Sequence, residues 1–142
     1  MPDYHFDKLF DVMEANDLIP RLEVLIRTLQ QRVGELRSQI AEIIERDPQV
    51  EALQLPQVLE RYPQLREPST RLNESAQAIE ALGCFLKDID LGLVDFPYQS
   101  ENGEVVFLCW QFGEPGVFAW HAIDAGFDQR KALPGSAKPL PN

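Results

Sequence analysis

Glu114, His121 and Asp124 are the residues of this chain whose types suit a divalent metal ion, with Asp95 and Asp128 near them in sequence. Imidazole nitrogen and carboxylate oxygens together favour zinc, manganese or iron, and such an ion would offset repulsion among the acids. Spacing tells against a site shared by all three. Glu114 falls in a turn and His121 ends the strand that follows, so the two stand roughly 16 to 20 Å apart at about 3.3 Å per residue. The structural reading of the same residues is that His121 hydrogen-bonds Asp124 or a backbone carbonyl, and that Glu114 opens a turn. The chain holds no Gly-rich phosphate loop, no HExxH, no CxxC and no Gly-x-Ser-x-Gly, so no cofactor beyond that divalent metal is expected.

Cys84 and Cys109 are the only cysteines. Cys109, between Leu108 and Trp110, is a nucleophile only if His121 serves as its base, and an apolar neighbourhood raises a thiol pKa instead of lowering it. Two buried, reduced thiols are expected, with no disulfide framework. Trp110, Phe112, Phe118, Trp120 and Phe127 enrich the same region in aromatics, which reads as core and interface packing.

The elements that position these residues follow from periodicity. Asp11 and Glu14 have the spacing of a capping box, with Phe10 as a hydrophobic staple, so a helix begins there. Pro20 predicts a kink or a restart. From Leu22, apolar residues at Leu25, Leu29, Val33, Leu36, Ile40 and Ile43 recur by threes and fours, marking one long amphipathic helix that ends at Asp47-Pro48. A Pro-rich connector over 47–69 carries one or two helical turns. A second helix, capped by Ser69 or Thr70, is expected to run through Leu72, Ala76, Ile79, Leu82, Leu86 and Ile89 to Leu91, with Gly92 in a left-handed conformation.

Beyond Gly92 the period changes. Leu93-Val94-Asp95-Phe96 and Val105 to Trp110 flank a turn containing Asn102-Gly103, which predicts a hairpin. Glu114-Pro115-Gly116-Val117 has the residues of a type II turn leading into a third strand, Val117 to His121. The unbroken apolar run from Val105 to Trp110 implies cover on both faces of the middle strand, one side by the helices and the other by another chain or segment. Gly126 is expected to return Phe127 to the core. Tyr4 to Leu9 alternates weakly, as an edge strand would.

With 142 residues, 44% hydrophobic and 25% charged, the chain has the composition of one globular domain. Its 23 acids outnumber 13 Lys plus Arg, giving a net charge of −10, which argues against nucleic acid and anionic membranes as partners. From Asp88 to Gln129 there are eight acids and no Lys or Arg. No signal peptide and no apolar span of roughly 18 residues is present, so a cytoplasmic protein is expected.

Phe10 to Pro20 (FDVMEANDLIP), Gly92 to Pro97 (GLVDFP), Leu108 to Trp110 (LCW), Gly113 to Pro115 (GEP), Trp120-His121, and Asp124 to Phe127 (DAGF) with Arg130 together resemble the family known as domain of unknown function 2203. His121-Ala122 stands where that family commonly has His-Asp. The resemblance implies a small cytoplasmic bacterial protein and brings no activity with it.

The expected architecture is α+β, a single domain over residues 1–133 with a frayed tail at 134–142. A coiled-coil-like antiparallel helical hairpin over 11–91 packs beside a small antiparallel β-meander over 92–130. The expected function is a non-enzymatic interaction module that is homo-oligomeric, because the long apolar stripe offers more surface than its neighbours need. The alternative is a divalent-metal-binding protein or metal-dependent enzyme using His121, Asp124 and Glu114.

Overall fold

The computed structural model describes residues 6–134. Its first element, α1, is a 35-residue helix over Val12–Arg46. The capping box forms as expected: Glu14 N donates to Asp11 Oδ1 at 2.7 Å, and Asp11 N donates to Glu14 Oε1 at 3.1 Å. The helix does not restart at Pro20 but runs through it unbroken. Pro20 deletes one backbone donor only, while Ile19 and Leu22 on either side are buried in the core and hold the segment helical.

The connector folds back on the far end of α1. A 3-10 turn at Pro48–Ala52, helix α2 over Leu55–Arg61 and a second 3-10 turn at Pro63–Leu65 place Val50, Val58 and Leu65 against Leu36 and Ile43. Helix α3, over Arg66–Glu80, then returns along α1, with Leu72 near that cluster and Ile79 in the main core beside Leu22, Ile26 and Leu29. It starts earlier than a Ser69 or Thr70 cap would allow. Pro68 falls in the first turn, where its missing N–H has no intrahelical acceptor to lose.

Helix α3 also stops earlier than expected. Gly83 takes φ +99, and the chain enters strand β1, Phe85–Asp88, in place of further helical turns. Leu86 and Ile89 still pack on the main core, so apolar residues at helical spacing are served by a strand and a turn. Gly92 is left-handed at φ +67, but in the turn between strands, where a Cβ would lie 2.5 Å from Phe112 Cβ.

The sheet is an antiparallel meander in the order β1-β2-β3-β4-β5, with β2 over Leu93–Gln99, β3 over Val105–Gln111, β4 over Ala119–His121 and β5 over Lys131–Ala132. The β2–β3 hairpin closes at Asn102-Gly103 as expected, with Gly103 at φ +87 and its N–H on Ser100 O at 2.9 Å. The next reversal comes three residues before the expected one. Glu114 N donates to Gln111 O at 2.9 Å around Gly113 at φ +101, while Gly116 is not left-handed. Two edge strands, β1 and β5, extend the expected three, so residues assigned to a helix, and two just past the expected end of the meander, belong to the sheet. Of the expected Tyr4 to Leu9 strand, Tyr4 lies outside the described residues and Phe6 to Leu9 form no strand. Among the described residues, no helix is long and apolar enough to cross a membrane.

Strand alternation splits the sheet into two faces. Val94, Phe96, Leu108 and Trp110 meet α1 and α3 in the main core. The opposite, outer face carries Phe85, Lys87, Asp95, Phe107, Cys109 and His121. Its cover comes from the same chain: Phe6 stands edge-on to Phe107 and Phe85, with ring centroids 5.8 and 5.9 Å away, and the segment after β4 folds over the other end.

Candidate functional site

On the outer face, register sets Asp95 of β2 beside Cys109 of β3 and Ala119 of β4, while Phe107 pairs with His121. Asp95 and His121 are therefore diagonal across three strands, and their side chains meet above β3. His121 Nε2 lies 3.0 Å from both Asp95 oxygens, and His121 Nδ1 lies 2.8 Å from the carbonyl oxygen of Ala122. Both side chains are buried, with 3% and 6% exposure. Lys87, at a β-bulge in edge strand β1, brings its ammonium to 3.8 Å from Asp95 Oδ2 and 4.6 Å from the Phe107 ring.

The protonation of this pair follows from its partners. A carbonyl oxygen only accepts, so Nδ1 must carry a proton, and an ionised Asp95 likewise requires a proton on Nε2. Burial disfavours the charged ring, but the Asp95 hydrogen bond and the Ala122 carbonyl outweigh it, so the His121 pKa is raised. Both ring nitrogens of His121 are thus engaged within the fold, Nδ1 on the Ala122 carbonyl and Nε2 on the Asp95 carboxyl group, and neither is directed at the Cys109 thiol. The backbone carbonyl of residue 122 serves this role whatever its side chain, so alanine at 122 leaves the pair intact.

The other two candidate ligands are placed elsewhere. Glu114 sits after the turn that ends β3 and takes one hydrogen bond from Arg130 Nη1 at 3.0 Å and another from Gln111 N at 2.7 Å, while Arg130 Nη2 makes an ion-pair contact with Glu114 Oε2 at 2.9 Å. Both side chains of that ion pair are nearly buried, at 9% and 11% exposure. Asp124 lies on the wall of a cavity of about 440 Å³, with Lys87, Leu93, Asp95, His121 and Phe127. The structure thus brings His121 and Asp124 to one cavity and puts Glu114 with Arg130. Among the described residues, no three His, Cys, Asp or Glu side chains are grouped so as to hold a metal ion.

Burial pushes the Cys109 thiol up to about 12, against the opposing hydrogen bond from Arg130. Burial likewise takes Cys84 up to about 12, and its Sγ donates to Ile79 O at 3.4 Å. Neither is a thiolate near neutral pH. Gly126 is extended, at φ −108, and Phe127 is half-buried under the Arg130 guanidinium at 4.1 Å, so the DAGF segment lays its aromatic on an arginine and not in the core. A second cavity, of about 450 Å³, opens among Val12, Tyr98, Val106, Trp120 and Leu133, where Lys131 stands 5.4 Å over Trp120.

Sequence reasoning missed Lys87, named Arg130 only within the family resemblance, and held Asp95 only as a neighbour and optional further ligand of the metal candidates. An acid at position 95, inside a strand expected to be covered on both faces, was the available signal, because a buried carboxylate requires a partner. Three of the eight acids between Asp88 and Gln129 are met by cations outside that stretch: Asp90 by Arg37 at 2.8 Å, Asp95 by Lys87 and Glu114 by Arg130.

The pairs formed here unite the segments in which the sequence resembles a family: Asp95 of GLVDFP with His121, Glu114 of GEP with Arg130, and Cys109 of LCW beside both. Neither the curated proteins nor the solved structures contain a match to the chain. The profile of the family described as Uncharacterized conserved protein (DUF2203) matches residues 8–133, and the chain belongs to that family.

Proposed function

We propose that this chain is a non-enzymatic interaction module of the cytoplasm that works as a homo-oligomer. The observation that carries this reading is where its two kinds of residue lie. The groups with catalytic chemistry are bound to one another inside the fold, as His121 on Asp95 and Glu114 on Arg130. Apolar side chains of α1 are left outside: Met13 is 74% exposed and Val24 59%. The apolar stripe through Leu22, Ile26, Leu29, Val33, Leu36 and Ile43 does not serve association, because it is buried within the chain. The surface available to a partner is the opposite side of the same helix.

Light scattering coupled to gel filtration at tens of micromolar tests this reading. A dimer or larger assembly is expected, and a clean monomer overturns it.

A further inference from the structure

Met13, Pro20 and Val24 are all exposed, and at about 100° per residue they fall within about 40° of one another around α1. They form a stripe roughly 16 Å long at 1.5 Å rise per residue. Asp17 and Arg21, also exposed, lie together along one flank of that stripe. Past Val24 the same side of the helix turns polar, with Gln31, Glu35 and Ser38 exposed, so the apolar patch is confined to the first half of α1.

We propose that this patch is an isologous contact with a second copy of the chain, in which two α1 helices cross antiparallel about a two-fold axis near Leu18 and Ile19. This deepens the homo-oligomer reading, on which it rests, by naming the surface. An axis at that point sets Met13 of each copy against Val24 of the other. It also sets Asp17 of each copy against Arg21 of the other, because a two-fold axis lying between the helices keeps each flank on its own side. Every contact occurs twice. A parallel pairing, whose two-fold runs along the helices, would instead put the Asp17 and Arg21 flanks of the two copies on opposite sides of the seam, where neither meets its counter-charge, and would align the two helix dipoles unfavourably. The charge pattern therefore selects the antiparallel arrangement and its register.

The register is tested by oxidative cross-linking. Cys84 and Cys109 are 1% and 2% exposed, so the introduced thiols are the accessible ones. Mixing the Met13→Cys chain with the Val24→Cys chain is expected to give a covalent dimer on a non-reducing gel. Each variant alone stays monomeric there, since like positions lie roughly 16 Å apart, beyond disulfide reach. Asp17→Arg should weaken association about tenfold by opposing like charges, and Arg21→Asp in the same chain should restore it. Cross-linking of Met13→Cys with itself, or none in a chain that still associates, overturns this surface while the module reading stands. A wild-type monomer by light scattering overturns both.

Discussion

The two faces of the sheet use alternate residues of the same strands and are buried alike, yet their contents differ in kind. The inner face presents Val94, Phe96, Leu108 and Trp110 to the helices, and its cohesion is packing. The outer face presents Asp95, His121 and Cys109 under a cover made of Phe6 and the segment after β4, with Lys87 exposed at its rim. Apolar packing tolerates any partner of suitable volume, whereas a buried charge tolerates only its own counter-charge. The inner face thus fixes that these strands lie on these helices, and the outer face fixes which residue of β2 meets which residue of β4.

The largest expected effect breaks the inner face. Trp110 is fully buried and its Nε1 donates to Glu114 O at 2.9 Å, so Trp110→Ala should cost about 4 kcal/mol of unfolding free energy in urea. Next, Asp95→Leu on the outer face leaves His121 without its counter-charge and should cost about 3 kcal/mol. The double variant Asp95→Leu with His121→Phe sharpens the contrast, because replacing both charges by apolar groups should recover most of that loss. If the double variant is no more stable than Asp95→Leu, the outer face is held by volume like the inner one and the contrast fails. Arg130→Met should cost about 2 kcal/mol, less than Asp95→Leu, since Gln111 N still donates to the stranded Glu114.

Local signals were legible where the chain answers them locally. The capping box at Asp11 and Glu14, the end of α1 at Asp47-Pro48 and the hairpin at Asn102-Gly103 each depend on a few adjacent residues, and all three form. The α+β class with its meander follows from the change of period after Gly92. The end of α3 was not legible, because Leu82, Leu86 and Ile89 keep helical spacing while the left-handed Gly83 turns the chain into β1. The candidate site was legible as a set of residues and not as a set of pairs. His121 and Glu114 are separated by one short strand, but their partners, Asp95 and Arg130, are fixed by strand register and by the fold of the 122–130 segment. Charge counted along the sequence likewise hides Lys87 and Arg37, which reach the acids from outside the cation-free stretch.

The smallest expected effect is a proton's, because it alters the outer pair while leaving every side chain in place. The folded-state pKa of His121 is raised above its ordinary value near 6.5. At pH 6 and below, the folded and unfolded chains both hold this proton, and the pair contributes its full stabilisation. As pH rises past 6.5 the unfolded chain loses the proton first, so stability falls until pH passes the raised folded pKa and then levels. Above that point the neutral ring can donate from one nitrogen only, and either Asp95 or Ala122 O loses its donor in a buried place. Urea unfolding across pH 6 to 9 should show this decline in wild type and lose it in the Asp95→Leu with His121→Phe variant, whereas Trp110→Ala should keep the slope while lowering the whole curve. A decline that persists in the double variant would assign it to another group, and would separate the outer pair from the stability it is here held to provide.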